Sequence, residues 1–375
     1  MADLPSLDLV RRLTDQHVLD ALLANRQLTR AELAARTGIS KPTISESVRR
    51  LTGAGLLVEA GAQVGSRGRA GTYYRIDPGL GVVLTASAGP DGVVVEVDAL
   101  SRTPVARQSR PVPTPITEAQ LGPILVAAID AALPIGTPVL AATVSLAGPV
   151  DQDTGRLVAL PDSPFVLGEL DPRALLGGRL GHTLRIDNDV NWAALAEHRH
   201  GAATHLEHFA YCYLGPGLGA GLVQGGAVLH GARGLSGEIS HVRTTGPGGR
   251  SLKLVECFRA WDLLLPGSSA IDLDRLGVVL TSTSPPDLQI ADGVLTAVAG
   301  VIGSLTALLN PAAVLIGGPW STVGDAAARI AERVDGEADV TTEVRLAALG
   351  TDAPLVGARG SAARLGREAL LARVP

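Results

Sequence analysis

The hydrophobic pattern of this 375-residue chain changes period near residue 80. That change limits it to two different kinds of folding unit joined in series. Before it, apolar residues recur at helical spacing, with Leu9, Leu13, Leu19, Leu22 and Leu23 forming one stripe over residues 8–25. Thr29 opens TRAE with Glu32 three residues on, a capping box, and this second helix ends at Thr37-Gly38. Ser40 is a further N-cap, with Pro42 tolerated in the first turn, and the helix it starts aligns Ile44, Val48 and Leu51 on one face. Two short helices across a Gly-containing turn make a helix-turn-helix. The run 56–58, a polar tip at 61–71 and the run 73–76 read as a β-hairpin, or wing, closed by Pro78-Gly79. Beyond about Val82 the strand-like runs 93–97, 139–146, 184–186, 210–214 and 314–316 alternate with Ala/Leu-rich helical segments, which is α/β architecture. The Pro-rich stretches 111–115 and 134–138 are loops.

Hydrophobic residues make up 46% and charged residues 18%, enough for large cores and against disorder. With aromatics at 3%, those cores must be built from Ala, Val and Leu. The net charge of −5 is unevenly spread: residues 1–75 carry 11 Arg/Lys against 7 Asp/Glu, and the remainder 21 against 30. A basic head on an acidic body points the head at a polyanion. Two cysteines, Cys212 and Cys257, make neither a disulfide framework nor a CxxC pair, and the N-terminus shows no apolar signal region, so a cytoplasmic location is expected. The apolar stretch 294–309 is shorter than the roughly 20 residues of a membrane span and reads as a buried helix.

With Ile44, Val48 and Leu51 inward, the outward face of the third helix holds Lys41, Thr43, Ser45, Glu46, Arg49 and Arg50. A recognition helix reads base edges from its N-terminal half and holds phosphates at its ends. Thr43, Ser45 and Glu46 are therefore candidate readers, and Lys41, Arg49 and Arg50 candidate phosphate or guanine contacts. Arg67 and Arg69 at the wing tip suit a narrow minor groove. The plainer alternative is a solvated helix face and a loop.

Four stretches of the body belong together: VSLAGPVDQDTGRLVALPDSPF (144–165), LRIDNDVNWAALAE (184–197), LGPGLGAGLVQGGAVLHGARGLSGEISH (214–241) and NPAAVLIGGP (310–319). In this order, behind a winged helix-turn-helix, the chain resembles the ROK family of repressors, open reading frames and kinases. The resemblance implies an N-terminal DNA-binding domain over 1–80. It also implies a two-lobed, actin-like (ribonuclease H-like) sugar-kinase-type domain over 81–375, with the lobe boundary near 190 and the C-terminal helix returning to the first lobe. It implies sugar contacts at Asn188, Asp189, Glu238, His241 and Glu256, with Asp189 at the position of the kinases' general base. A carboxylate within reach of a hydroxyl can orient it and take its proton. Read without the family, Asp189 is a helix cap and Glu238 and Glu256 are surface charges.

The chain departs from the family's kinases at both phosphate loops. The first stretch is Ala86-Ser87-Ala88-Gly89-Pro90, lacking the family's Asp and Thr, and the second is Gly215-Pro216-Gly217 where Gly-Thr-Gly is usual. Each change removes donors on which a phosphate cradle depends. The family's zinc site keeps only His241, since the three cysteine positions hold Pro247, Gly249 and Leu254. Structural zinc takes four ligands, so no metal and no cofactor are expected. The expectation is a sugar-responsive transcriptional regulator, a repressor of carbohydrate genes, without catalysis. It would act as a homodimer or homotetramer on a palindromic double-stranded operator, away from any membrane. The alternatives are an active ATP-dependent sugar kinase with an accessory head, and a regulator governed by a partner protein with an empty cleft.

Overall fold

The structure, a computed structural model, describes residues 7–63, 71–161, 163–180, 183–337 and 342–374. The head runs α1 (Leu7–Ala24), β1 (Leu28–Thr29), α2 (Arg30–Thr37), α3 (Lys41–Gly53), β2 (Leu57–Gln63) and β3 (Gly71–Ile76). Local chemistry sets these bounds. The Glu32 carboxylate accepts from the Thr29 backbone N–H at 2.7 Å while the Thr29 hydroxyl oxygen accepts from Glu32 N–H, so the expected capping box is formed. Gly38 closes α2 at φ 70°, a left-handed conformation that costs glycine little, and Ser40 caps α3. β3 pairs with both β1 and β2 to make the wing sheet. The wing tip, with Arg67 and Arg69, lies outside the described residues.

Val18, Leu19 and Leu22 of α1 pack with Leu33, Ile44, Val48 and Leu51, all fully buried. The stripe expected on α1 needs correcting in its first half. Leu9 and Leu13 are 47% and 46% exposed, and the inner face is Thr14, Asp15, Val18, Leu19 and Leu22. Only the C-terminal half of α1 lies against the other helices, so helical periodicity outruns burial there.

The body contains two five-stranded sheets. The first comes from β4 (Val82–Gly89), β5 (Gly92–Ala99), β6 (Pro104–Arg110), β8 (Val139–Leu146) and β10 (Leu184–Asn188), in the order β10-β8-β4-β5-β6. A small parallel pair, β7 (Ile116–Thr117) with β9 (Val166–Leu167), and the helices α4 (Glu118–Ala132) and α5 (Pro172–Leu180) complete it. β4 alternates as a strand buried on both faces must. Leu84, Ala86 and Ala88 join Leu121, Leu125 and Ile129 of α4, while Val83 faces the opposite side.

The helix α6 (Asp189–His200) leads to the second sheet: β11 (Phe209–Leu214), β12 (Leu218–Gln224), β13 (Ala227–Val228), β16 (Ala313–Gly317) and β17 (Glu343–Leu346), in the order β13-β12-β11-β16-β17. Between these strands come the hairpin β14 (Arg243–Thr245) and β15 (Ser251–Lys253), then α7 (Leu254–Ala260), α8 (Leu273–Thr281), α9 (Pro285–Leu309) and α10 (Ala326–Glu337). α9 is long and apolar enough to cross a membrane, but half of its most apolar window is buried: Val294, Leu295, Val298 and Ile302 pack on Ala210, Cys212, Val314 and Ile316. It is a core helix.

The last helix, α11 (Ala353–Leu371), packs on β4 and β8 of the first sheet and across α6. At Gly357 a Cβ would lie 1.9 Å from the Trp192 carbonyl oxygen, so the helices approach at a distance only glycine permits. Further along, Ala362 and Leu370 join Val83, Leu100, Leu140 and Ala141 in the same apolar cluster as the head's Val18, Leu19 and Tyr74. Arg367 adds two bonds to Asp20 of α1, at 2.6 and 2.7 Å.

Candidate functional site

Two surfaces draw together the residues that carry chemistry. The first is the outer face of α3. Lys41, Thr43, Glu46 and Arg49 are exposed and Ser45 is half-buried beside them. Glu46 accepts from Arg49 one turn on, an exposed pair of little energetic weight. Arg50 corrects the expectation. Its guanidinium turns inward onto Asp15 of α1, with bonds of 2.8 and 3.2 Å, and the Ser47 hydroxyl donates to the same carboxylate. Asp15 is 1% exposed. A buried carboxylate needs such partners, so Arg50 is committed to joining α1 to α3.

The second surface is a cleft of about 110 Å³ between the lobes. It is lined by Asn188 and Asp189 at the junction of β10 and α6, by Gly148 after β8, and by Glu238 and His241 from the loop after β13. The Asn188 side-chain oxygen accepts from Gly148 N–H at 3.3 Å, which fixes the amide at the cleft wall. Asp189 stands at the first helical position of α6, where its carboxylate accepts from Val190 N–H at 2.7 Å. Burial pushes its carboxyl up to about 7, against the opposing pull of the backbone N–H groups. Glu238 is placed by its neighbour. Gly237 has φ 89°, and a Cβ there would meet the Ala220 carbonyl oxygen at 1.8 Å.

His241 ends a short 3₁₀ turn, and its Nδ1 accepts from the Lys253 ammonium at 3.3 Å. An accepting Nδ1 leaves Nε2 as the protonated nitrogen of the neutral ring. The residues around it do not fit a zinc ion. Pro247 and Gly249 form the turn of the β14–β15 hairpin, Leu254 is buried at the start of α7, and none carries a donor atom. A cation at 3.3 Å from the imidazole further opposes a metal. Among the described residues no group of three His, Cys, Asp or Glu side chains is arranged to hold a metal ion.

Glu256 does not line the cleft. It is the third residue of α7, and its carboxylate accepts from Lys253 N–H at 3.0 Å, satisfying a helix N-terminal donor. The capping role takes the side chain that the family resemblance assigned to a sugar. Pro90 and Pro216 do line the cleft. Pro90 sits at the tip of the β4–β5 hairpin, beyond the Gly89–Gly92 pair. Pro216 tips the β11–β12 hairpin, where its carbonyl accepts from Ile271 N–H at 2.8 Å.

Three residues at this site were not read from the sequence. Tyr213 lines the cleft and also a neighbouring cavity of about 120 Å³ behind Pro90. Its ring lies over Gly215, where a Cβ would be 2.4 Å from it. Burial, then the Asp189 charge, keep its phenol protonated. Asp187 is fully buried. It accepts from Asn188 N–H and the Asn191 amide at 2.8 Å each, and it pairs with His230 from the loop after β13 at 2.8 Å. That last bond joins the edge of the first sheet to the second lobe. Lys253, one of two lysines in the chain, is the third. Only this rarity marked it in the sequence.

Residues 86–257 match the ROK family, and residues 11–58 match a winged helix-turn-helix DNA-binding family. Among curated proteins the chain is similar to the xylose repressor of Bacillus subtilis (strain 168), 24% identical over 246 residues, covering 64% of this chain and 62% of that protein. It is also similar to the glucokinase of Halalkalibacterium halodurans, 29% identical over 209 residues, covering 46% of this chain and 61% of that protein. Each match spans less than two thirds of the relative's own length. A crystal structure of a ROK-family transcriptional regulator, described as a homologue of the E. coli MLC protein, superposes with a TM-score of 0.62 at 19% identity over 97% of this chain and 98% of that one. A ROK-family glucokinase from Streptomyces griseus, crystallised with glucose and AMPPNP, superposes with a TM-score of 0.55 at 22% identity over 75% of this chain and 99% of that one. At such identities the likeness is one of fold. The regulator's fold spans head and body alike.

Proposed function

This chain carries a ROK-family domain behind a winged helix-turn-helix, and from that premise we propose that it is a sugar-responsive DNA-binding repressor whose kinase-like body binds a ligand without phosphorylating it. The observation that carries the proposal is the composition of one cleft. The wall that gathers Asn188, Asp189, Glu238 and His241 also holds Pro90 and Pro216. An amide, two carboxylates and an imidazole supply the donors and acceptors that a polyhydroxylated ligand pairs with. A proline supplies no backbone N–H, and phosphate cradles are built from such donors. The cleft therefore suits sugar recognition and lacks the means to hold a transferable phosphoryl group. Asp189 orients a sugar hydroxyl, and Tyr213 lines both this cleft and the cavity behind Pro90.

In the head, Thr43, Ser45 and Glu46 read base edges, Lys41 and Arg49 engage phosphate or guanine, and Arg67 and Arg69 serve the minor groove from the wing. The molecule acts in the cytoplasm as a homodimer or homotetramer on a palindromic operator, the symmetry such heads require. Ligand closes the lobes and changes the spacing of the heads, shifting the equilibrium only by its differential affinity for the two arrangements.

The test is operator binding by fluorescence anisotropy with a panel of monosaccharides, for the wild type and Asp189→Ala, beside an ATP-coupled assay. One sugar should change wild-type operator affinity, and Asp189→Ala should abolish the response while leaving ligand-free affinity intact. Arg49→Ala should cost about 1–3 kcal/mol of operator affinity if it reads a base. A mutant that still responds at the same sugar concentration would sink the cleft as sensor. Turnover that disappears in Asp189→Ala would restore the kinase reading.

A further inference from the structure

Behind the first lobe, away from the ligand cleft, lies a groove of about 710 Å³, some six times the volume of the cleft. Arginines reach it from three elements: Arg102 and Arg107 from the β5–β6 edge, Arg199 from the last turn of α6, and Arg359 and Arg364 from α11. Glu96 on the groove floor is 7% exposed and binds both Arg107 and Arg359, so it holds two of the forks in place. Arg364 pairs with Glu368 on its own helix. Arg102 and Arg199 have no side-chain anion among the described residues. The Arg199 guanidinium is pressed against α11, where a Cβ at Gly360 would lie 3.1 Å from it. Burial, then the like charges of Arg364 and Arg185, disfavour its protonated form. A half-buried guanidinium held among like charges, with open space before it, is an unmet demand for an anion.

We infer that this groove is a second ligand site, separate from the lobe cleft, and that it takes a small molecule bearing a phosphomonoester. The number and spread of the forks choose the ligand. A carboxylate is matched by one bidentate arginine, whereas a phosphate dianion presents three oxygens and takes donors from several directions. Five arginines against Glu96, Asp98 and the Glu368 that pairs with Arg364 leave a surplus of two positive charges. DNA offers a convex line of phosphates, which a concave groove floored by carboxylates does not fit. The helix that supplies Arg359 and Arg364 also holds the head, through Leu370 and the Arg367–Asp20 pair, so occupancy of the groove bears on the same element as the head.

The test titrates the full chain with inorganic phosphate, glucose 6-phosphate and glucose, by calorimetry and thermal shift, in the wild type, Arg199→Gln, Arg102→Gln and Asp189→Ala. Both phosphate probes should bind the wild type. Each groove substitution should weaken them about tenfold, the loss expected for one charge-assisted bond, and Asp189→Ala should leave them unchanged. Arg199→Gln without ligand should melt no lower than the wild type, because it removes a like charge. If it fails to fold, Arg102→Gln at the groove rim carries the comparison. Absence of phosphate binding overturns the assignment. So does phosphate binding that is lost in Asp189→Ala but kept in the groove variants, which places it in the lobe cleft. Groove variants that weaken only operator binding also overturn it, because the arginines then face DNA.

Discussion

At Asp189 the burial that raises the carboxyl also makes it sensitive to protons near neutrality. With its pKa raised to about 7, the folded chain keeps a proton that the unfolded chain releases near the ordinary carboxylate value. The group's contribution to stability is therefore full below that ordinary value and is lost as pH rises through about 7. Asp189→Asn should remove this slope and raise stability at pH 8 by on the order of 2 kcal/mol. That is less than the whole shift implies, because the cleft opens to water. Urea titrations between pH 5 and 8 read it directly, and equal slopes in the two proteins would mean a solvated carboxylate. The same proton competes with the ligand, so sugar affinity should fall below pH 7 if Asp189 accepts from a hydroxyl.

α11 is the element on which the two ends of the molecule meet. Its first half crosses α6 and its second half carries the head. The two attachments differ in weight. The Asp20–Arg367 pair is about one third exposed on each side and is worth at most about 1 kcal/mol. The apolar contacts of Ala362 and Leu370 with the head and first sheet are fully buried and do most of the holding. The crossing with α6 tolerates no side chain at position 357, where the Trp192 carbonyl stands 1.9 Å from any Cβ. Gly357→Ala should cost about 2–3 kcal/mol through forced separation of the helices. Denaturant midpoints would register it. A cost below 0.5 kcal/mol would show that the crossing relaxes freely.

Across the whole molecule, the head is fused to the body by a common core. Val18, Leu19 and Leu22 of α1 share one cluster with Val83, Leu140 and Leu370. The two should therefore unfold together. Calorimetry should show the head melting within the first-lobe transition, and Leu370→Ala, at about 2–4 kcal/mol, should lower both. A separate, unshifted head transition would mean a head that is merely tethered. A fused head fits the proposed sensor, since an element biased by both ligand and operator would couple them, and coupling of binding is reciprocal.

The amino-acid sequence by itself determined what depends on near neighbours. The capping box at Thr29 and Glu32, the left-handed stop at Gly38, the cap at Ser40 and the strand runs of both sheets follow from periodicity and from residues three or four apart. The likeness to one family placed Asn188, Asp189, Glu238 and His241 together, and all four do line one cleft. Only the tertiary structure decided the rest, because each case turns on a partner distant in the chain. Arg50 looks outward on a helical wheel until Asp15, 35 residues earlier, draws it in. Leu9 looks like core until α1 proves longer than the surface it covers. Glu256 is the exception, a local case: its carboxylate accepts from the Lys253 N–H three residues back, a contact within reach of the sequence. The arginines of the rear groove are scattered from position 102 to 364 and have no periodicity to betray them. Periodicity reports which face a residue could bury, and long-range packing alone decides whether anything arrives to bury it.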